Sequence, residues 1–318
     1  MVALGELLVD FTYSGISEFG QRLFEQNPGG AVANALCCAA KAGFKTAFIG
    51  KVGRDMHGEF LAQTLRGVGV DTSGLVIADD VFTTLAFVAL SPQGERSFSF
   101  ARKPGADTCL RPDELDTSIL EGTRILHVGS LSLTDEPARS ATLYALERAK
   151  RAGAVITYDP NYRASLWASE AEAAAQMRSV LPLVDMLKFS DEEAALLTGK
   201  ASPQEAAMAL VEDGIRCVTA TLGEKGAIVC SREGLRTVPG YAVSAVDTTG
   251  AGDAFWGGFL CRFLQGEKAP QELLSLAELE AYARFANATA AICVTRRGGI
   301  PALPTLAETK AFMGREGE

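Results

Sequence analysis

Val246-Asp247-Thr248-Thr249-Gly250-Ala251-Gly252-Asp253-Ala254-Phe255 is the stretch from which the rest of this 318-residue chain can be read. Two glycines at i and i+2 remove side chains where the backbone must come close to something else. The run that follows, Asp253 to Leu264, is apolar nearly all round and predicts a buried helix that opens at those glycines. A helix start carries N–H groups without intrahelical partners at the positive end of the dipole, which suits an anion such as a phosphoryl group. The dipole also favours the ionised form of a carboxylate at that point, so Asp253 can accept a hydroxyl proton. Phosphoryl transfer asks mainly for positioning and charge stabilisation, with one acceptor beside the attacking hydroxyl. Two commoner nucleotide loops fail on spacing: a GxGxxG would need glycine where Phe255 stands, and no GxxxxG is followed by Lys-Ser or Lys-Thr. The plainer alternative is a glycine-rich turn capped by Asp253.

Outward from this segment, short apolar runs alternate with longer Ala/Leu-rich amphipathic stretches. The pattern predicts strands at Val2–Val9, Thr46–Val52, Arg124–Val128, Val155–Tyr158, Met186–Phe189, Cys217–Thr221 and Ala227–Cys230. It predicts helices at Ala31–Ala42, Met56–Gly67, Glu136–Ala152, Ala171–Leu181, Pro203–Asp213, Asp253–Leu264 and Leu276–Ala291. Such alternation indicates an α/β protein with a mostly parallel central sheet covered by helices on both faces. Its ligands belong at the carboxyl ends of the strands. Thr83 to Arg102 departs from the pattern: two apolar runs flank Ser91-Pro92-Gln93-Gly94-Glu95, which reads as a hairpin. Inside an α/β protein that insertion is either a lid or an edge that completes the sheet.

The chain carries 39 acidic and 30 basic residues, a formal net charge of -9, so phosphate-rich nucleic acid is not an expected partner. Seven scattered cysteines without a CxxC pair indicate reduced, mostly buried thiols. No long apolar run predicts a membrane span, the N-terminus lacks a basic leader, and a cytoplasmic location is expected. His57 and His127 are the only histidines, too few for a His-ligated zinc hydrolase, and neither adjoins a GxSxG elbow.

Asp247 to Asp253 matches, position by position, the C-terminal signature of the ribokinase/PfkB carbohydrate kinases, and Pro28-Gly29-Gly30-Ala31-Val32-Ala33-Asn34-Ala35 resembles their N-terminal one. Gly5-Glu6-Leu7-Leu8-Val9-Asp10 opens the chain as that family does, and the resemblance runs from about residue 2 to residue 305. It implies one ribokinase-like domain over residues 1–318, with a β lid from segments about 11–27 and 82–105. It implies that Asp253 takes the proton of a sugar hydroxyl, that the N–H groups of Gly250, Ala251 and Gly252 form the anion hole, and that Asp10, Gly30, Asn34 and Phe100 contact the sugar. ATP would engage Lys188, Ser190, Glu193, Thr221, Gly223, Gly226 and Asn287, with Ser190-x-x-Glu193 in the segment the family ties to magnesium and phosphate. Ser190 stands where many members have Asn. A potassium ion would sit against Asp247, Thr249, Cys293, Arg296 and Gly298, mostly through main-chain oxygens.

Phe98-Ser99-Phe100-Ala101-Arg102 and Asp159-Pro160-Asn161-Tyr162-Arg163 look like segments of fructokinases and, next, of 2-keto-3-deoxygluconate kinases. That adds Arg102, Asn161 and Arg163 to the expected sugar contacts; an Arg fork suits a carboxylate as well as hydroxyls. Ala106-Asp107 leans towards fructose. A nucleoside kinase with Phe87 and Phe100 as a base clamp, and a sugar sensor without activity, remain as alternatives. Two copies joined through the lid are a further expectation, because a sheet of alternating strands needs a covered face.

Overall fold

A computed structural model describes residues 1–90, 96–266 and 274–315. Thirteen strands occur in chain order: β1 (Val2–Leu4), β2 (Leu8–Ile16), β3 (Arg22–Gly29), β4 (Ala47–Gly53), β5 (Leu75–Ala78), β6 (Leu85–Leu90), β7 (Arg96–Ala101), β8 (Ile125–Gly129), β9 (Val155–Asp159), β10 (Met186–Ser190), β11 (Cys217–Thr221), β12 (Ala227–Ser231) and β13 (Gly234–Val238). The helices are α1 (Ala31–Lys41), α2 (Met56–Gly67), α3 (Ser118–Glu121), α4 (Ala138–Arg151), α5 (Glu170–Ser179), α6 (Ala194–Thr198), α7 (Pro203–Glu212), α8 (Ala251–Gln265), α9 (Leu276–Val294) and α10 (Leu306–Arg315).

Nine strands form one sheet in the order β13-β12-β11-β10-β9-β8-β1-β4-β5. From β11 to β5 all neighbours are parallel, and β12 and β13 close one edge as antiparallel strands. The inner strands are buried residue after residue, as parallel strands covered on both faces must be. One face packs α1, α2, α8 and α9 around Leu36, Trp256 and Phe259. The other packs α4, α5, α6 and α7 around Leu146, Tyr158 and Phe189. α1 and α8 approach closely at Gly257, where a Cβ would lie 2.5 Å from Cys38 Cβ.

The second sheet has four strands in the order β3-β2-β6-β7 and is made by the segments around 11–27 and 82–105. The turn expected at 91–95 lies outside the described residues. The strand expected at Val2–Val9 is instead two strands in two sheets: the chain leaves the large sheet after Leu4, and β2 begins at Leu8. Gly5 to Leu7 make the crossing, which carries Glu6 to the start of α1. β3 falls in the expected lid segment without having a strand of its own assigned, and β5 and β13 are additions to the expected strands. β3 is polar and largely exposed, β13 is mostly exposed, and β5 spans four residues, so none makes a long apolar run.

Candidate active site

A cavity of roughly 190 Å³ opens where the carboxyl ends of β9 and β10 meet the starts of α1 and α8 and the root of the four-stranded sheet. It brings together Asp10, Gly30, Asn34, Phe100, Asn161 and Arg163 on one side, and Lys188 with the Thr248–Asp253 turn on the other.

Each glycine of the 28–30 segment makes room for a named atom. A Cβ on Gly29 would fall 2.2 Å from Asp10 Oδ2, and one on Gly30 would fall 2.4 Å from the Glu6 carbonyl oxygen. Gly30 also has φ 116°, a conformation L side chains resist. α1 has no side-chain cap from its own N-cap residue; the Ala31 N–H donates instead to Glu6 Oε1 at 2.7 Å. One turn on, Asn34 Nδ2 donates to Asp253 Oδ2 at 2.7 Å, which aims the carboxylate. Glu6 Oε2 and Asn34 Oδ1 are buried without a hydrogen-bond partner among the described residues. Burial raises the Glu6 carboxyl to about 7. A buried acceptor left open costs free energy, so both are places for an incoming donor.

α8 opens on Gly250 at φ 73°, with no side-chain cap. The Asp247 carboxylate shapes the turn: Oδ1 accepts from Thr249 N and Oγ1, and Oδ2 accepts from Gly298 N at 3.0 Å. Of the three N–H groups expected to form the anion hole, that of Ala251 already donates to the Thr248 carbonyl at 3.3 Å. Lys188 Nζ stands beside the same turn, 3.0 Å from where a Cβ on Gly252 would lie. It donates to Asp159 Oδ2 at 2.9 Å. Burial alone would lower the Lys188 pKa, but Asp159, Glu193 and Asp253 outweigh it and hold it raised.

The Asp253 carboxyl is pushed up to about 6 rather than held low by the helix dipole. Burial is the main cause and the Asp159 charge the next, while the Asn34 hydrogen bond, Lys188 and Arg163 oppose them. Desolvation in a narrow cavity outweighs the dipole here.

Several expected contacts lie elsewhere. Arg102 is a correction: it stands outside the cavity, with its guanidinium 3% exposed and fully engaged. Its Nε donates to Asp107 Oδ2, Nη1 to Thr134 Oγ1 and Nη2 to the Leu131 carbonyl, each at 2.8 Å. Asp107, five residues on, folds back to neutralise it, and a motif match cannot see that return. Glu193 is likewise committed: Oε1 accepts from Tyr162 N at 2.6 Å and Oε2 from Ser190 N at 2.7 Å. Asn287 uses its Nδ2 on the Val238 and Pro239 carbonyls, pinning the end of β13. Thr221, Gly223 and Gly226 border the β11–β12 turn, and Gly226 is required there because a Cβ would meet the Val238 carbonyl at 2.2 Å. The Arg296 side chain pairs with Glu308 at 2.5 Å, and Cys293 Sγ lies 4.0 Å from the Thr249 carbonyl. No cluster of three or more His, Cys, Asp or Glu that could hold a metal occurs among the described residues.

Two residues of the site carried no role in the sequence reading: Glu6 and Asp159. Glu6 lies two residues past the end of β1 and Asp159 is the last residue of β9, and a carboxylate at the carboxyl end of a large-sheet strand is the signal that could have raised them.

The profile of the pfkB family carbohydrate kinases matches residues 2–306. Fructokinase-1 of Oryza sativa subsp. japonica is 42% identical over 316 residues, 98% of this chain and 97% of the rice protein. The structure of a Xylella fastidiosa fructokinase with bound ATP superposes with a TM-score of 0.91 at 32% identity, over 100% of this chain and 99% of that one. A Vibrio cholerae fructokinase double mutant bound to fructose, ADP and potassium gives 0.87 at 36% identity, over 98% and 97%. No described helix is long and apolar enough to cross a membrane. By its two glycine motifs, its fold and these full-length matches, the chain belongs to the pfkB family of carbohydrate kinases.

Proposed function

We propose that this kinase is an ATP-dependent fructokinase that phosphorylates a primary hydroxyl of fructose, with Asp253 as general base. The observation that carries the reading is the 2.7 Å bond from Asn34 to Asp253, which joins the sugar-side helix start to the phosphate-side one. The sugar hydroxyl oxygen attacks the γ-phosphorus, its proton passes to the Asp253 carboxylate, and the bond to the bridging oxygen breaks to release ADP. Gly250, Ala251 and Gly252 meet the developing charge with main-chain N–H groups, Ala251 by giving up its long bond to Thr248. Lys188 adds positive charge from the side.

Fructose is favoured over a sugar acid by the lining. With Arg102 outside, Arg163 and Lys188 are the cations lining the cavity, facing Glu6, Asp10 and Asp253. Carboxylates and amides suit the vicinal hydroxyls of a neutral sugar. Asp10, Gly30, Asn34, Phe100, Asn161 and Arg163 are its contacts in this reading because they line the cavity, and the fructose-bound Vibrio cholerae relative supports the choice of sugar. ATP lies towards Thr221, Gly223, Gly226 and Asn287. Because both Glu193 oxygens already accept N–H groups, magnesium would be carried mainly by phosphate oxygens and water rather than by this carboxylate. It would neutralise charge on the transferring group. The turns at 247–249 and 293–298 are hydrogen-bonded side by side, which fits a potassium ion held by the carbonyls of Asp247, Thr249, Cys293, Arg296 and Gly298. Such an ion would add fixed positive charge beside the anion hole.

A phosphorylation panel of fructose, 2-keto-3-deoxygluconate, ribose and adenosine tests the reading, with ADP release as readout. Turnover on fructose is expected; turnover on adenosine alone, or sugar-independent release only, overturns it. The four-stranded sheet leaves Tyr13, Phe24 and Phe87 exposed on one face, with their rings in edge contact. We assign that face to closure over the sugar and to pairing with a second copy, which sedimentation would record as a dimer.

A further inference from the structure

Asp159 ends β9 just behind the cavity wall and is 2% exposed. Its two oxygens serve different halves of the site. Oδ1 accepts the main-chain N–H of Asn161 at 3.2 Å, and Oδ2 accepts Lys188 Nζ at 2.9 Å. Asn161 is the non-glycine residue with positive φ among the described residues, at 46°, so its backbone depends on that acceptor. Asn161 and Arg163 line the sugar side of the cavity. Lys188 reaches the Gly252 turn on the phosphate side. The loop after β9 and a lysine of β10 thus hang from one carboxylate, and an error in its position would be felt at both.

We propose that Asp159 is a positioning residue that sets the sugar loop and the phosphate-side cation in register around Asp253, through Asn161 on one oxygen and Lys188 on the other. The proposal rests on the kinase reading above and deepens it. The charge environment gives it a readout that packing alone would not move. Asp253 is faced by Asp159 from β9, Lys188 from β10, Arg163 from the loop after β9, Asn34 from α1 and Cys293 from α9. Asp159 pushes its pKa up, while Lys188 and Arg163 pull it down. Neutralising Asp159 therefore moves Asp253 towards ordinary carboxylate behaviour.

The test compares the full-length wild type with D159N, D159A and K188M. D159N can still accept the Asn161 N–H but loses the ion pair; D159A loses both. Expected for D159N are a kcat lower by on the order of 10²-fold, as for a misplaced charge, and an unchanged KM for fructose. The carbon NMR titration midpoint of Asp253 in the ligand-free protein should fall by about one pH unit. D159A should lose as much kcat and also raise the fructose KM about tenfold, the scale of one neutral hydrogen bond. K188M should match D159N in kcat. If a single variant is unstable, D159A/K188M leaves no unpaired buried charge, and its fructose KM should exceed that of K188M about tenfold at similar kcat. A D159N protein with wild-type kcat and midpoint, or kcat losses that multiply in the double variant, would overturn the proposal. Failure of the kinase reading is a separate outcome: the wild type would release no sugar-dependent ADP, while the Asp253 midpoint in D159N would still score Asp159.

Discussion

α1 and α8 begin alike and end up with opposite tasks. Both open on a glycine with positive φ, 116° at Gly30 and 73° at Gly250, and neither has a cap from its own N-cap side chain. At α1 the positive end is stoppered from within, because Glu6 reaches across from the end of β1 and takes the Ala31 N–H. At α8 no side-chain cap occurs among the described residues; the turn is stiffened from behind by Asp247, and its front faces the cavity with Lys188 alongside. A helix start with an internal carboxylate becomes a fixed wall against which a sugar can rest. A helix start without one keeps its N–H groups for an external anion. The difference between the two motifs therefore lies in a residue more than twenty positions from α1, not in the glycines themselves.

The largest expected effect is at the junction of the two helices. Asp253→Asn keeps the shape of the side chain but cannot take the proton, and kcat should fall by on the order of 10²-fold or more, with fructose and ATP binding retained. Near-normal kcat would remove Asp253 from the role of base. The same group sets the acid limb of the pH profile. With its carboxyl near 6 in the free enzyme, it is ionised and competent above that pH. kcat/KM should fall about tenfold per unit as pH drops below it. A limb near 4 would mean that burial does not govern this carboxylate.

Gly30→Ala comes next. The new methyl group would press on the Glu6 carbonyl from 2.4 Å, at a φ that alanine adopts only under strain. A loss of about 1–3 kcal/mol is expected in thermal unfolding, together with a raised fructose KM. Gly250→Ala should be milder, since its nearest neighbour, Gly299 Cα, would stand at 3.3 Å. If the two rank the other way, the α1 start is not the rigid wall described above.

How far the sequence could be read follows the same division. That the glycines, Asn34 and Asp253 meet at one cavity was legible because close backbone approach restricts residue type at a fixed spacing. Six of the seven expected strands were legible because each run is buried along most of its length, whereas Val2–Val9 is buried throughout and burial does not mark its break at Gly5 to Leu7. What escaped was polar return contact. Arg102 looked like a ligand until Asp107 turned back upon it. Glu193 and Asn287 likewise hold backbone groups that are distant in sequence. Glu6 passed as part of an opening run, although it sits where one strand breaks into two. Side chains that satisfy main-chain N–H and C=O groups across loops leave no periodic trace, and only a three-dimensional count of donors and acceptors finds them.

The last effect vanishes at low pH, and for that reason it separates the two capping arrangements most cleanly. Glu6→Gln preserves an oxygen for the Ala31 N–H, whereas Glu6→Ala removes it and should be about 1–3 kcal/mol less stable than Glu6→Gln at any pH. The Glu6 carboxyl is raised to about 7 in the folded protein, well above its usual range, so folding binds a proton between the two values. Stability then declines as pH rises from about 4.5 through 7 and the ionised form must be buried. Glutamine carries no charge to bury. The unfolding free energies of wild type and Glu6→Gln should therefore nearly coincide at pH 5 and separate by pH 8, in favour of the variant, by up to about 3 kcal/mol. A gap that stays constant with pH would mean that Glu6 is ionised throughout, and that the α1 start stabilises full negative charge.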